Sequence, residues 1–274
     1  MELRKTVDRA SFPGPALAAP EILLESAIRH DRAIVIAGLT LVTAASWWWI
    51  LAMSGDMYGS MTGASAWAMT GIWDLRHSVQ LVAMWVVMMT AMMLPSAAPM
   101  LMLYIAVIRR SGETAFARRA YALAGGYLSV WLIFSVVAAA GQRLLTTAEI
   151  LSPMMGLAHP TAGGAVLVLV AAYQFTPLKR GCLDACRSPL TLITTYWRPG
   201  ARGAFGMGVR HGLYCFGCCW ALMLLLFAGG VMNAWVIGGL TLYILIEKLT
   251  PVGRGASYAG GIVLATLGVW LLIR

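Results

Sequence analysis

Long apolar runs, separated by short polar or basic segments, fill the chain from residue 33 onward. A helix needs about 20 apolar residues to cross the hydrocarbon of a bilayer. Seven runs approach that length: roughly Ala33–Met53, Ser78–Ile108, Ala120–Gly141, Ala162–Leu178, Gly208–Gly230, Asn233–Leu249 and Ser257–Ile273. The pattern predicts an all-α, polytopic transmembrane helix bundle of about seven spans. The second run carries Pro95 and Pro99, which predicts a kinked or broken helix. The fourth and last runs are short.

Charge gives the predicted bundle an orientation. Seventeen of the 20 Lys and Arg fall in the first 32 residues or in every second connection between runs. The positive-inside rule makes that side cytoplasmic and places the amino terminus inside. The chain then divides into a cytoplasmic N-terminal tail, 1–32, and a transmembrane helical domain, 33–274. Within the tail, Ser11–Pro20 reads as a linker and Glu21–Arg32 as a short helix on the inner face. The tail does not read as a signal peptide, because its first apolar run begins only at Ala33.

Composition agrees with a membrane setting. Hydrophobic residues make up 60% of the 274 and charged residues 11%, against about 45–50% and about 25% in soluble domains. Disorder is excluded by the same excess of apolar side chains. The net charge of +9 sits between apolar runs, so it reads as topology and attraction to anionic lipid, with no nucleic-acid partner. The expected location is a bacterial inner membrane, multi-pass. Its expected partners are the lipid bilayer and a metal ion; a protein subunit or a homo-oligomer is left open.

The metal expectation comes from residues out of place in an apolar helix. His211, Cys215 and Cys218 are spaced i, i+4 and i+7, within about 60° on one helix face. Cys219 lies one step round. Cys182 and Cys186, also four apart, bring all five cysteines between positions 182 and 219. Cytoplasmic thiols stay reduced, which favours metal or redox chemistry over a structural disulfide. Imidazole and thiols are soft ligands, and copper is favoured, with zinc and iron as the other candidates. The alternative is that the cysteines are packed as small hydrophobes. Glu247 falls level with Cys215 when residues are counted back from the tight turn near Val231. It is either a further ligand or proton acceptor, or a carboxylate paired with Lys248 or Arg210. Met84, Met88 and Met92 make one stripe on the second run. That stripe is either core filling or a thioether path for a soft ion, with His77 and Asp74 at its entry. Helix capping is the alternative for Asp74 and His77.

Three motifs resemble a known family. Met84-Trp-Val-Val-Met-Met-Thr-Ala-Met-Met-Leu-Pro95 is the first. Tyr173-Gln-Phe-Thr-Pro-Leu-Lys-Arg-Gly-Cys-Leu-Asp-Ala-Cys-Arg-Ser-Pro-Leu190 is the second. His211-Gly-Leu-Tyr-Cys-Phe-Gly-Cys-Cys-Trp220, continuing to Gly230-Val-Met-Asn233 and Glu247-Lys248, is the third. Together they resemble a bacterial family of predicted metal-binding integral membrane proteins, classed as a domain of unknown function. The resemblance runs from Asp56 to Leu271. It implies a polytopic membrane protein with a metal site at Cys182, Cys186, His211, Cys215, Cys218, Cys219 and Glu247.

The functional expectation is soft-metal binding at a cytoplasmic Cys/His cluster, in copper handling or transport. One alternative is a metal-dependent membrane oxidoreductase or monooxygenase component acting on a small apolar substrate. Another is a thiol redox or assembly subunit. Walker, Ser–His–Asp and HExxH patterns are absent from the sequence.

Overall fold

The computed structural model describes residues 19–59, 74–110, 116–152 and 155–274. These residues fold as helices α1 (Ala19–Met57), α2 (Leu75–Arg110), α3 (Phe116–Thr147), α4 (Pro160–Gln174), α5 (Pro177–Arg187), α6 (Pro189–Tyr196), α7 (Gly200–Met223), α8 (Leu225–Gly229), α9 (Ala234–Leu249) and α10 (Gly253–Ile273). Residues 11–18 of the expected linker lie outside the described residues. From Ala19 the backbone is one continuous helix into the first apolar run, so Glu21–Arg32 is not a separate element.

Five segments are long and apolar enough to cross a membrane: Ala33–Met57, Leu75–Arg109, Ala117–Thr147, Gly200–Gly229 and Gly253–Ile273. Counting α4 and α5 as one span makes six, although the chain bends 64° between them. The bend has a local cause. Pro177 cannot donate to the Tyr173 carbonyl, and it forces Thr176 out of the helical region, to ψ 146°. The Thr176 hydroxyl oxygen then caps α5 by accepting from the Lys179 N–H at 3.2 Å. The expected sixth span is α9, whose 16 residues reach only about 24 Å.

Pro95 and Pro99 do not break the second helix, which stays helical from Leu75 to Arg110. Pro95 leaves the Ala91 carbonyl without its usual N–H four residues on. A neighbouring helix supplies the replacement: Trp47 Nε1 of α1 donates to Ala91 O at 3.2 Å. That is the compensation apolar surroundings require.

The two most closely packed helix pairs are α3 against α7 and α4 against α10. The α3–α7 seam is built on glycine. A methyl group on Gly126 would overlap the Phe205 carbonyl, and one on Gly208 would overlap the Leu123 carbonyl. Small residues let two backbones touch where apolar solvent gives helices little reason to associate. Buried Trp85, Trp131, Met88, Met89, Met92 and Met93 fill the space between α2, α3 and α7. Trp85 Nε1 donates to Gln142 Oε1 at 2.7 Å, which satisfies two buried polar groups at once.

Between α8 and α9 the chain turns at Gly230, whose φ of +91° suits a residue without a Cβ. Asn233 caps α9 by accepting from the N–H groups of Trp235 and Val236. This short turn makes α9 return alongside the bundle, bringing its carboxyl end to the middle of α7.

Candidate metal site

The α3–α7 seam decides what surrounds the α7 motif. Because Gly126 and Gly208 let these backbones touch, Tyr127 lies directly over one turn of α7. Its hydroxyl is 2.9 Å from Cys215 Sγ and donates to Met93 O at 3.0 Å. Its ring packs on His211, with centroids 5.4 Å apart. Cys215, Cys218 and Cys219 are each about 1% exposed, and His211 is 3% exposed.

The cysteines of α5 meet those of α7. The Cys186 thiol interacts with Cys215 and Cys218. Cys182 passes over Gly217, where an added Cβ would lie 2.5 Å from its Sγ. Tyr173 donates to the Gly217 carbonyl from the same side. Gly217 is therefore what allows α5 to approach the cysteine face. All five cysteines are free thiols.

Glu247 is buried but faces elsewhere. Both its oxygens accept from Lys179 Nζ, at 2.8 and 3.0 Å, and the two side chains are each 1% exposed. Lys179 also donates to Gln174 Oε1, which accepts from Ser257 Oγ at 3.3 Å. This is a closed polar network between α4, α5, α9 and α10. Glu247 therefore pairs with neither Lys248 nor Arg210, the partners the sequence suggested. The α9 residue that reaches the thiols is Lys248. Its Nζ lies 2.9 Å from Cys215 Sγ, 4.0 Å from Cys219 Sγ and 3.2 Å from Ser96 Oγ.

The thiols are arranged here as hydrogen-bond donors. Cys218 and Cys219 point their sulfurs at the Cys215 carbonyl, at 3.1 and 2.8 Å. Among the described residues no three His, Cys, Asp or Glu side chains stand in a geometry ready to hold a metal ion. Turning Cys218 or Cys219 about its χ1 torsion frees the sulfur from that carbonyl. One ligand atom is already free: Nδ1 of His211 is buried without a hydrogen-bond partner. A buried, unpaired ring nitrogen costs free energy unless something binds it.

Away from the thiols, Asp74 is a helix cap. Its carboxylate accepts from the His77 N–H at 2.7 Å at the start of α2. The His77 side chain is 5% exposed, and Met84, Met88 and Met92 are each 2% exposed or less. Asp184 pairs with Arg254 at 2.9 Å on the surface.

Two contacts escaped the sequence reading. Tyr127 carried no sign of a role beyond the adjacent Gly125-Gly126, a hint of close helix packing. Lys248 stood beside Glu247 in the motif and was read only as its partner.

A family model described as "PpoB2: Copper chaperone" matches residues 82–271. No curated protein and no solved structure matches the chain.

Proposed function

The chain belongs to the PpoB2 copper chaperone family, and on that premise we propose that it is a membrane-embedded protein that receives and releases Cu(I) at the α5–α7 thiols. The observation that carries this reading is the burial of Cys215, Cys218 and Cys219 on α7, with Cys182 of α5 packed over Gly217 and, one helical turn before Cys215, the buried Nδ1 of His211 without a hydrogen-bond partner. Thiolate and imidazole are the soft ligands that Cu(I) prefers. The five long apolar helices support a multi-pass placement, which we assign to a bacterial inner membrane. The basic connections then put the amino terminus and the thiol niche on the cytoplasmic side.

The chemistry is ligand exchange on a cargo ion. Each thiol gives up its proton as it binds. Cu(I) held by two thiolates carries one net negative charge. Burying that charge in an apolar bundle is costly unless it is compensated. Lys248 Nζ, 2.9 Å from Cys215 Sγ, supplies the opposite charge. Cys215 and Cys218 are the principal ligands, with Cys186 or His211 completing the set. Cys182 and Cys219 lie within one helical turn as exchange partners. Glu247 acts one step removed, holding α5 against α9 through Lys179.

Elemental analysis of protein purified in mild detergent without chelator tests the reading. Copper bound by the wild type and reduced by about one ion per chain in Cys215→Ser/Cys218→Ser is expected. Equal copper in both proteins would overturn the assignment.

A further inference from the structure

About three turns before the α2 residues that face the thiols, a second feature concerns the same cargo. A cavity of about 230 Å³ lies between α1 and α2, lined by Trp49, Met53, His77, Leu81 and Met84 among others. Met53 is 8% exposed, His77 5% and Met84 2%. One imidazole and two thioethers thus reach a largely apolar chamber, and among the described residues no carboxylate lines it. Asp74, three residues before His77, is engaged as the cap of α2, and Asp56, three residues after Met53, is not among the described lining residues. Such a donor set suits a soft monovalent ion and offers little to Zn²⁺, Mg²⁺ or Ca²⁺.

The cavity is joined to the thiol niche by side chains. Met84, Met88, Met92 and Ser96 are spaced four apart on α2, so they form one stripe rising about 6 Å per step. All four are buried. The stripe ends at Ser96, whose hydroxyl lies 3.3 Å from the Tyr127 hydroxyl and 3.2 Å from Lys248 Nζ. Both of those groups touch Cys215.

We propose that the His77–Met53–Met84 cavity is a second Cu(I) site, from which the thioether stripe leads to the thiol niche. The inference rests on the copper reading and adds to it where the ion enters. Thioethers are neutral and bind Cu(I) without releasing protons. Thiolates are anionic and hold it more strongly. The order of ligands therefore favours movement from the cavity to the niche, with copper remaining Cu(I) throughout.

Anaerobic titration of the purified protein with Cu(I), against a coloured Cu(I) chelator, tests the proposal. The wild type is expected to bind two ions per chain, one of them with a thiolate-to-copper charge-transfer band. Met53→Leu/Met84→Leu preserves side-chain volume, and so the fold. It is expected to bind one ion and keep the band. His77→Gln, an independent route to the same loss, is expected to behave likewise. Two ions in both variants would overturn this inference and leave the thiol assignment standing. Cys215→Ser/Cys218→Ser is expected to lose the band and retain one ion. A band undiminished in that variant would overturn the copper reading of the niche itself.

Discussion

Lys248 Nζ and Cys215 Sγ lie 2.9 Å apart in the centre of the bundle, though 33 residues separate them in sequence. The contact depends on the turn at Gly230, which returns α9 against α2 and α10, from where the Lys248 side chain reaches α7. It also depends on Lys248 being 8% exposed, since an ammonium so enclosed needs an anionic or polar partner. Lys248→Met keeps the length of the side chain and removes its charge. Its loss leaves a copper–dithiolate uncompensated, and a charge-assisted contact of this kind is worth about 1.5–3 kcal/mol. We expect Cu(I) affinity to fall about tenfold to a hundredfold, measured by chelator competition. An unchanged affinity would remove Lys248 from the site.

Glu247 and Lys179 give the opposite expectation. Both are 1% exposed, and each is the other's ionic partner. Removing one member of a buried pair costs about 3–5 kcal/mol, because a charge is left stranded. Glu247→Gln and Lys179→Met are each expected to lower the unfolding temperature in detergent. Glu247→Leu/Lys179→Met is expected to regain most of the loss. Copper content is expected to stay at the wild-type level in the double variant. Copper lost there, with stability restored, would make Glu247 a ligand after all.

These two neighbours show where a sequence reading stops. Adjacent residues on a helix point about 100° apart. One of Glu247 and Lys248 therefore faces α7 and the other faces α4 and α5. The count back from the turn set Glu247 level with Cys215, whereas it is Lys248 that reaches the thiol, because the rotation of α9 follows from packing that no local pattern records. The helices themselves were legible, because apolar length is written in the chain. The α4–α5 bend was missed for a related reason: the apolar run continues to Leu178, while Phe175-Thr176-Pro177 carries the cap and proline that start a new helix. Asp74 was legible as a cap, and the structure agrees. Tyr127 was not, since its contact with Cys215 requires knowing that α3 is the neighbour of α7.

That neighbour relation can be tested at Gly208. A methyl group there meets the Leu123 carbonyl, so Gly208→Ala forces α3 and α7 apart. Overpacking of this kind typically costs about 1–3 kcal/mol. It would also draw the Tyr127 hydroxyl away from Cys215. Gly206, on the same helix, has nothing within 4 Å of an added Cβ. Gly206→Ala is therefore expected to leave thermal stability the same or slightly higher, while Gly208→Ala lowers it. Equal melting temperatures for the two variants would contradict the seam.

The last expectation concerns the proline-bearing helix that carries the methionine stripe. Ala91 O has lost its helical donor to Pro95, and Trp47 Nε1 replaces it at 3.2 Å. Trp47→Phe keeps an aromatic ring but removes the donor. The carbonyl is then stranded in apolar surroundings, at a cost of about 1–3 kcal/mol. Pro95→Ala restores a backbone N–H at the right position, so Ala91 O no longer depends on α1. The cost of Trp47→Phe is therefore expected to be large when Pro95 is present and small in the Pro95→Ala background. A double-mutant cycle on thermal unfolding in detergent reads the difference directly. Additive effects would mean that the indole does not substitute for the missing helical bond. Coupling of about 1 kcal/mol or more would show that α1 holds the α2 backbone intact through the segment that carries the methionine stripe.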